Sequence, residues 1–530
     1  MAEPPPRTSN RAIVRRAGLV ATGTLTSRIL GAVRDAVVAS QFAIGATDAF
    51  WLAFTIPNAL RSLLGEGAVS AAFVPVFTEV REREGKARAR LFYRHLVGAM
   101  SLILLVVAVA GVMLAPWIVK LYAWGYQRDP ALFEMTVLLT QVLFPYIFLM
   151  GVSALMMAAL YASKRFGPPA FAPALLNVAL IGAVFLLAPV VERWGWPGIF
   201  ALAVGALIGG SLQIAFQAPA LAREGLLVAP GFNLKDPYVR KCARLMVPLL
   251  AGLGVYQVNL LLSRLLASFL PTGSVSYLYY GARIAEIPQG MFALAIASAA
   301  LPSLSDAVAH GDEEEAKRLF RYSLRLSLFV AVPAGVALVL LAEPTITVFF
   351  GRGRYDAVEV AETARSFVWQ AGGIWAVAAV RTIIPMFHAH NDTRTPVIAS
   401  ALNLVTFMGA SLALMGPMQH AGLAAATTFA AIAQLAALLW LLRRKSGRIG
   451  MREVGGSLAR VLAGSAVMGV VVVLIAQLGQ WQLGGNDLRN IGVLAAAIVG
   501  GAVAYLGVTA AAGAPELRDL ASALQRRKRA

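Results

Sequence analysis

Apolar residues run along this chain in long blocks, separated by short polar and basic stretches. A helix needs about 20 such residues to cross the hydrocarbon core of a bilayer. Windows of that length predict fourteen helices, over 17–41, 47–80, 91–122, 132–162, 171–190, 197–221, 238–269, 274–306, 317–349, 357–388, 395–416, 420–442, 455–478 and 490–512. Several exceed the minimum span, which predicts tilt or extension beyond the bilayer. The predicted class is an all-α polytopic membrane protein, since continuous apolar runs of this length specify helices rather than a barrel.

Composition agrees with the pattern. Of 530 residues, 58% are hydrophobic and 14% charged, against about 45–50% and about 25% in a soluble domain. The single cysteine, Cys242, excludes an internal disulfide framework. The net charge is +19. The basic residues sit at the ends of apolar blocks and form no patch interleaved with aromatics, which points to topology and anionic lipid and away from nucleic acid. With the N-terminus inside, the cytoplasmic side takes Arg7, Arg11, Arg15 and Arg16, the basic run from Arg81 to Arg94, Lys164 and Arg165. It also takes the runs Arg223–Arg244, Lys317–Arg325, Arg443–Arg452 and Arg518–Arg529, with Arg394. The outside loops hold Lys120, Arg128, Arg193, Arg352, Arg354 and Arg489. A wrong helix count would scramble this alternation, so the charges predict N-in, C-in. Residues 1–16 read as a polar, Pro-rich cytoplasmic tail without an obvious cleavage site.

The chain also repeats itself at an offset near 228 residues. TIPNAL (55–60) matches EIPQGM (286–291), ARLFYR (89–94) matches KRLFRY (317–322), and PALLNV (173–178) matches SALNLV (400–405). The shared order carries more weight than any single match. A six-helix unit is even-numbered, so two copies run the same way through the membrane, related by an axis along its normal. This predicts an N-lobe over 17–230, a C-lobe over 231–450, two further helices within 451–514 and a basic cytoplasmic tail over 515–530, with a central cavity between the lobes.

Charges inside the predicted spans fall on helical stripes, at spacings of three, four and seven. The first span carries Ser27, Arg28, Arg34 and Asp35; the second carries Asn58, Arg61 and Glu66, with Asp48 near its start. The seventh carries Gln257 and Arg264, and the eighth Ser276, Tyr280, Arg283 and Glu286. A charge at the bilayer centre costs about 2.5–3.5 kcal/mol on insertion scales, so these stripes are expected to face the cavity. Arginines outnumber the carboxylates among them and no lysine joins the set. Surplus guanidinium in a low-dielectric cavity calls for an anion, and its planar fork suits phosphate or pyrophosphate. Pairing of Arg34 with Asp35, or Arg283 with Glu286, to hold helices together is the plainer alternative. Pro57, Pro75, Pro288 and Pro302 lie within spans as kinks or as hinges. HAHND (388–392) is too isolated for a metal cluster, GRGR (351–354) reads as a turn, and no HExxH, P-loop or GxSxG stretch occurs.

The stretch SRILGAVRDAVVASQFAIGATDAFWLAFTIPNALRSLLGEGAVSAAFVPVFTE (27–79) resembles the opening of the MurJ (MviN) family of lipid II flippases. ASFLPTGSVSYLYYGARIAEIPQGMFALAIASAALPSLS (267–305) resembles its seventh-to-eighth helix region. The resemblance covers essentially the whole chain. It implies two six-helix lobes plus two helices, in a superfamily shared with MATE exporters and polysaccharide flippases. It implies transport of undecaprenyl-pyrophosphate-linked peptidoglycan precursor across the bacterial cytoplasmic membrane, not catalysis. By motif position Arg34, Arg61 and Arg283 match the family's cavity arginines, and Arg28 matches another of its first helix. Asp48 and Glu66 match acidic positions, and the last two helices are expected to form a groove for the isoprenoid tail. No cofactor is expected and no metal site is assigned; the drive is an Na+ or H+ gradient or the membrane potential. Expected partners are lipid II, anionic lipids and the peptidoglycan-synthesis machinery. Ala282 stands where some relatives carry an acid, so any role of that carboxylate is either missing here or taken over by Glu286. Some relatives continue into a regulatory domain after the point where this sequence reads RRKRA, so such regulation would need a separate partner. An ion-coupled exporter of cations would need the reverse charge balance. Another lipid-linked glycan flippase is a nearer alternative, and a membrane enzyme the weakest.

Overall fold

The structure, a computed structural model, describes residues 10–63, 69–289, 294–485 and 487–517. It is 86% helix and holds no strand among the described residues. In chain order the helices are α1 (Asn10–Gln41), α2 (Ile44–Leu63), α3 (Val69–Arg83), α4 (Gly85–Tyr122), α5 (Pro130–Leu143), α6 (Tyr146–Ala162) and α7 (Gly167–Gly182). Then come α8 (Ala188–Arg193), α9 (Phe200–Arg223), α10 (Pro237–Ala267), α11 (Ser274–Pro288), α12 (Leu294–Ala309) and α13 (Glu313–Leu340). The last are α14 (Ala342–Phe350), α15 (Ala357–Gly372), α16 (Ile374–Ala389), α17 (Arg394–Met418), α18 (His420–Ser446), α19 (Met451–Ala476) and α20 (Leu488–Ala511).

Every predicted span overlaps helix, yet among the described residues ten helical segments are long and apolar enough to cross a membrane. The four predicted spans outside that set are 17–41, 47–80, 238–269 and 274–306. These are the four that carry the polar stripes. Charged positions lower their mean hydropathy, and α2 and α3 are separately short, at 20 and 15 residues.

Local sequence sets the helix ends. Asp356 accepts from Val358 N–H while Glu359 accepts from the Asp356 N–H, a reciprocal cap that starts α15. Asp129 caps α5 ahead of Pro130, whose fixed φ suits the first helical position. In GRGR, Arg352 donates to the Val348 and Phe349 carbonyls at 2.5 and 3.2 Å, satisfying the end of α14. α11 stops at Pro288, whereas Pro57, Pro75 and Pro302 lie inside their helices.

The chain divides into two compact units, at 269/270. In the first, α7 packs between α1 and α9. Gly205 and Gly209, one turn apart on α9, meet α7 so closely that a Cβ at Gly209 would lie 2.9 Å from the Leu176 Cα. Lacking a hydrophobic drive between helices in lipid, such small-residue contacts supply van der Waals packing. Phe73, Phe77, Phe92 and Tyr93 build a core joining α3 to α4 and α6. The repeat gives α10 to the second lobe, but its N-terminal half packs on α3 and α4 of this unit. Lys241 pairs with Glu79 at 2.6 Å, and the buried Asp236 accepts from Arg88 twice, at 3.0 Å, with His95 Nδ1 2.7 Å away. Burial pushes the Asp236 carboxyl up, but hydrogen bonds from Arg88, His95 and the Tyr238 N–H outweigh it and bring it down to about 2.

The second unit centres on α13, which packs on α15, α16 and α19. Pro333 lacks the N–H that would bond the Phe329 carbonyl one turn back. Tyr505 of α20 fills the gap, its hydroxyl donating to Phe329 O at 2.7 Å. Nearby, Glu516 accepts from Arg325 at 2.7 Å and from Ser457 at 2.8 Å, fixing the chain after α20 to α13 and α19.

Candidate anion-binding site

The arginines of the first unit acquire defined surroundings. Arg34 and Asp35 are 6% and 0% exposed. Arg34 Nε and Nη2 donate to Asp35 Oδ1 at 2.9 and 2.5 Å, and Nη1 donates to Asn177 Oδ1 at 3.0 Å. Its guanidinium carbon lies 5.5 Å from the centre of the Trp51 ring, a cation–π placement. A buried ion pair is tolerable only when hydrogen bonds satisfy its remaining atoms. Asn177 of α7 does this, and its Nδ2 also donates to the Ser27 carbonyl at 2.9 Å, tying α1 to α7. Arg28, expected on the same stripe, is exposed.

Arg61 is half-buried at the end of α2, and its Nε donates to Asn58 Oδ1 at 2.8 Å. Arg61 and Arg34 come from different helices, yet both lie within electrostatic reach of one hydroxyl, that of Tyr146. Asp48 is 1% and Arg264 6% exposed. They group with two buried tyrosines: Tyr126 lies near both, and Tyr122 lies near Arg264 and Thr55. The turn holding Tyr126 is pinned by the Gly125 N–H, which donates to Ser268 Oγ at 3.1 Å. Glu66 lies outside the described residues.

In the second unit the stripe of α11 divides. Ser276 and Tyr280 are fully buried, with Tyr280 packed 4.8 Å from Phe350 and 5.6 Å from Tyr355. One and two turns on, Arg283 is half-buried and donates through Nη1 to the exposed Glu286 at 3.1 Å. The HAHND residues are engaged elsewhere. His390 contacts Met386 O and Glu313 at 2.8 and 2.9 Å, while Asp392 accepts from Thr395 and Lys445. Among the described residues no group of three or more His, Cys, Asp or Glu is placed to hold a metal.

Sequence reasoning singled out neither Asn177 nor Tyr146. Asn177 left a usable signal, a lone amide within the apolar run PALLNVAL. Tyr146 left none, because an aromatic in FPYIF reads as packing.

A fold of this kind is that of a multi-pass membrane transporter. It superposes on the inward-facing conformation of a multidrug resistance MATE family transporter of the MOP superfamily, with TM-score 0.57 and 14% identity over 81% of this chain and 95% of that one. It superposes more fully on lipid II flippase MurJ in an inward closed conformation, with TM-score 0.77 and 24% identity over 95% and 99%. The model of the lipid II flippase MurJ family matches residues 38–490. The probable lipid II flippase MurJ of Vibrio cholerae serotype O1 is 32% identical over 527 residues, 98% of this chain and 99% of the relative. The chain belongs to the MurJ family of lipid II flippases.

Proposed function

We propose that this protein moves lipid II from the inner to the outer leaflet of the cytoplasmic membrane by alternating access, with both termini cytoplasmic. The family sets the cargo, an anionic pyrophosphate on an isoprenoid tail. The observation that carries the assignment of residues is the buried Arg34 fork, held by Asp35 and Asn177, with Arg61 of a second helix within electrostatic reach of the same hydroxyl, that of Tyr146. Guanidinium forks brought together in a low-dielectric setting bind phosphate oxygens strongly and with defined geometry. Asp35 and Asn177 hold the Arg34 fork in place before cargo arrives. Arg283 of the second unit takes a phosphate-binding role by its position in the family pattern, with Glu286 balancing its charge. Arg28 and Arg264 are the further cavity arginines, and Asp35, Asp48, Glu66, Glu286, Asn58 and Ser27 set the gate or balance the charge. The helices α19 and α20 shape the groove for the isoprenoid tail. An Na+ or H+ gradient or the membrane potential drives the cycle. The basic cytoplasmic loops hold anionic lipids, and the peptidoglycan-synthesis machinery supplies and consumes the cargo.

Arg61→Ala tests the assignment. It is expected to abolish complementation of a depleted native flippase while the protein still accumulates in the membrane. Arg34→Ala is expected to do the same, at some cost in stability because it strands the buried Asp35. Full complementation by both variants would overturn phosphate binding at these arginines.

A further inference from the structure

We infer that Tyr146 is a third phosphate donor of the flippase, acting beside Arg34 and Arg61. This rests on the reading of those arginines as the phosphate site. Tyr146 is the first residue of α6, directly after Pro145, and it is 0% exposed. Its ring lies 5.5 Å from Phe54, and Phe54 lies 6.4 Å from Trp51, the ring beneath the Arg34 guanidinium. The phenol is thus seated in the same aromatic wall that positions Arg34. Among the described residues its Oη has no hydrogen-bond partner.

A buried hydroxyl without a partner is costly, and native structures seldom tolerate one without a use for it. The neighbours explain what is missing. Guanidinium carries five N–H donors and no acceptor. Neither Arg34 nor Arg61 can therefore take the O–H hydrogen of Tyr146. The hydroxyl hydrogen therefore needs an acceptor that the two arginines cannot supply. An ionised phosphate is rich in acceptor oxygens, and charge-assisted bonds to it are about twice as strong as neutral ones. An anion seated on the two arginines would satisfy the hydroxyl as well. A cargo that brings no acceptor oxygen to this point would leave it stranded. The hydroxyl thus adds discrimination in favour of the anion and marks the cargo-bound state as the one in which this wall is fully hydrogen-bonded.

The test uses the full-length purified protein, lipid II as the titrated ligand, and the variants Tyr146→Phe and Arg61→Ala. Tyr146→Phe removes one oxygen and keeps the ring. Lipid II binding is expected to weaken about 10-fold, as for loss of one hydrogen bond to a charged group. The melting temperature of the ligand-free variant is expected to stay the same or rise, because the oxygen removed was unpaired. A structural hydroxyl would give the opposite result, a lower melting temperature with unchanged affinity. Wild-type affinity in Tyr146→Phe, with binding lost in Arg61→Ala, overturns the role of Tyr146 and leaves the arginine site standing. Wild-type affinity in Arg61→Ala overturns the arginine site and this inference with it. Failure of Tyr146→Phe to fold also overturns the inference, since the hydroxyl would then belong to the frame.

Discussion

Arg34 owes its position to residues far away in sequence. Asp35 beside it neutralises its charge, but Asn177, 143 positions on, fixes the direction of the fork. That amide serves two helices at once, accepting from Arg34 and donating to the Ser27 carbonyl. Asn177→Ala removes both bonds and leaves a guanidinium nitrogen buried beside a methyl group. The expected cost is about 1–2 kcal/mol, at the upper end of side-chain hydrogen bonds measured between membrane helices. Thermal unfolding in detergent would show it. A leaflet-accessibility assay for lipid II in vesicles should show slower flipping than the fall in folded protein accounts for, because the fork loses its orientation. Unchanged flipping would mean that Asn177 only joins helices. The sequence announced the arginines because embedded charges are conspicuous. It was silent on which amide or phenol would meet them, since that depends on helix rotation and depth.

Helix breaks in this protein are answered by side chains of other helices. Pro333 orphans the Phe329 carbonyl in α13, and the Tyr505 hydroxyl of α20 supplies the missing donor. In lipid no water is at hand to do so, which makes the pairing more valuable than in a soluble protein. Tyr505→Phe is expected to lower stability by about 1 kcal/mol. In a Pro333→Ala background the helix regains its own N–H, and the same change should cost little. A double-mutant cycle reads the difference as coupling, and equal costs in the two backgrounds would refute the explanation. The pair also docks α20 on α13. It fastens one of the two helices outside the internal repeat to the second unit.

At the scale of the whole chain, the charge distribution and the folded units bear on different questions. Basic loops predict which side each end faces, and that orientation can be tested directly. Cys242 is fully buried, so Cys242→Ser gives a background in which single cysteines can be placed. Arg90 is exposed near the start of α4, and Gln127 is exposed in the turn that follows its far end. Gln127→Cys is expected to react with an impermeant maleimide added to intact cells, and Arg90→Cys only after permeabilisation. The reverse pattern would invert the proposed topology. Packing divides the chain at 269/270, whereas the repeat divides it near 230, and α10 is the helix that separates the two descriptions. It begins a repeat by sequence, yet it is fastened to the first unit by Asp236, Lys241 and their partners.

The sequence by itself determined the class: a helical membrane protein, its repeat, its polar stripes and its resemblance to the lipid II flippases. These follow from one-dimensional properties, namely run length, charge spacing and motif order. Only the tertiary structure decided what each polar group meets. It buried Arg34 against Asp35 and Asn177, left Arg28 exposed, grouped Arg264 with Asp48 and two tyrosines, and split the α11 stripe between core and surface. It also brought two arginines from different helices within electrostatic reach of one buried tyrosine hydroxyl. The physical reason is range. A helical stripe is fixed by residues three or four apart, but a partner for a buried donor is fixed by how helices rotate and close on one another, which no local spacing encodes.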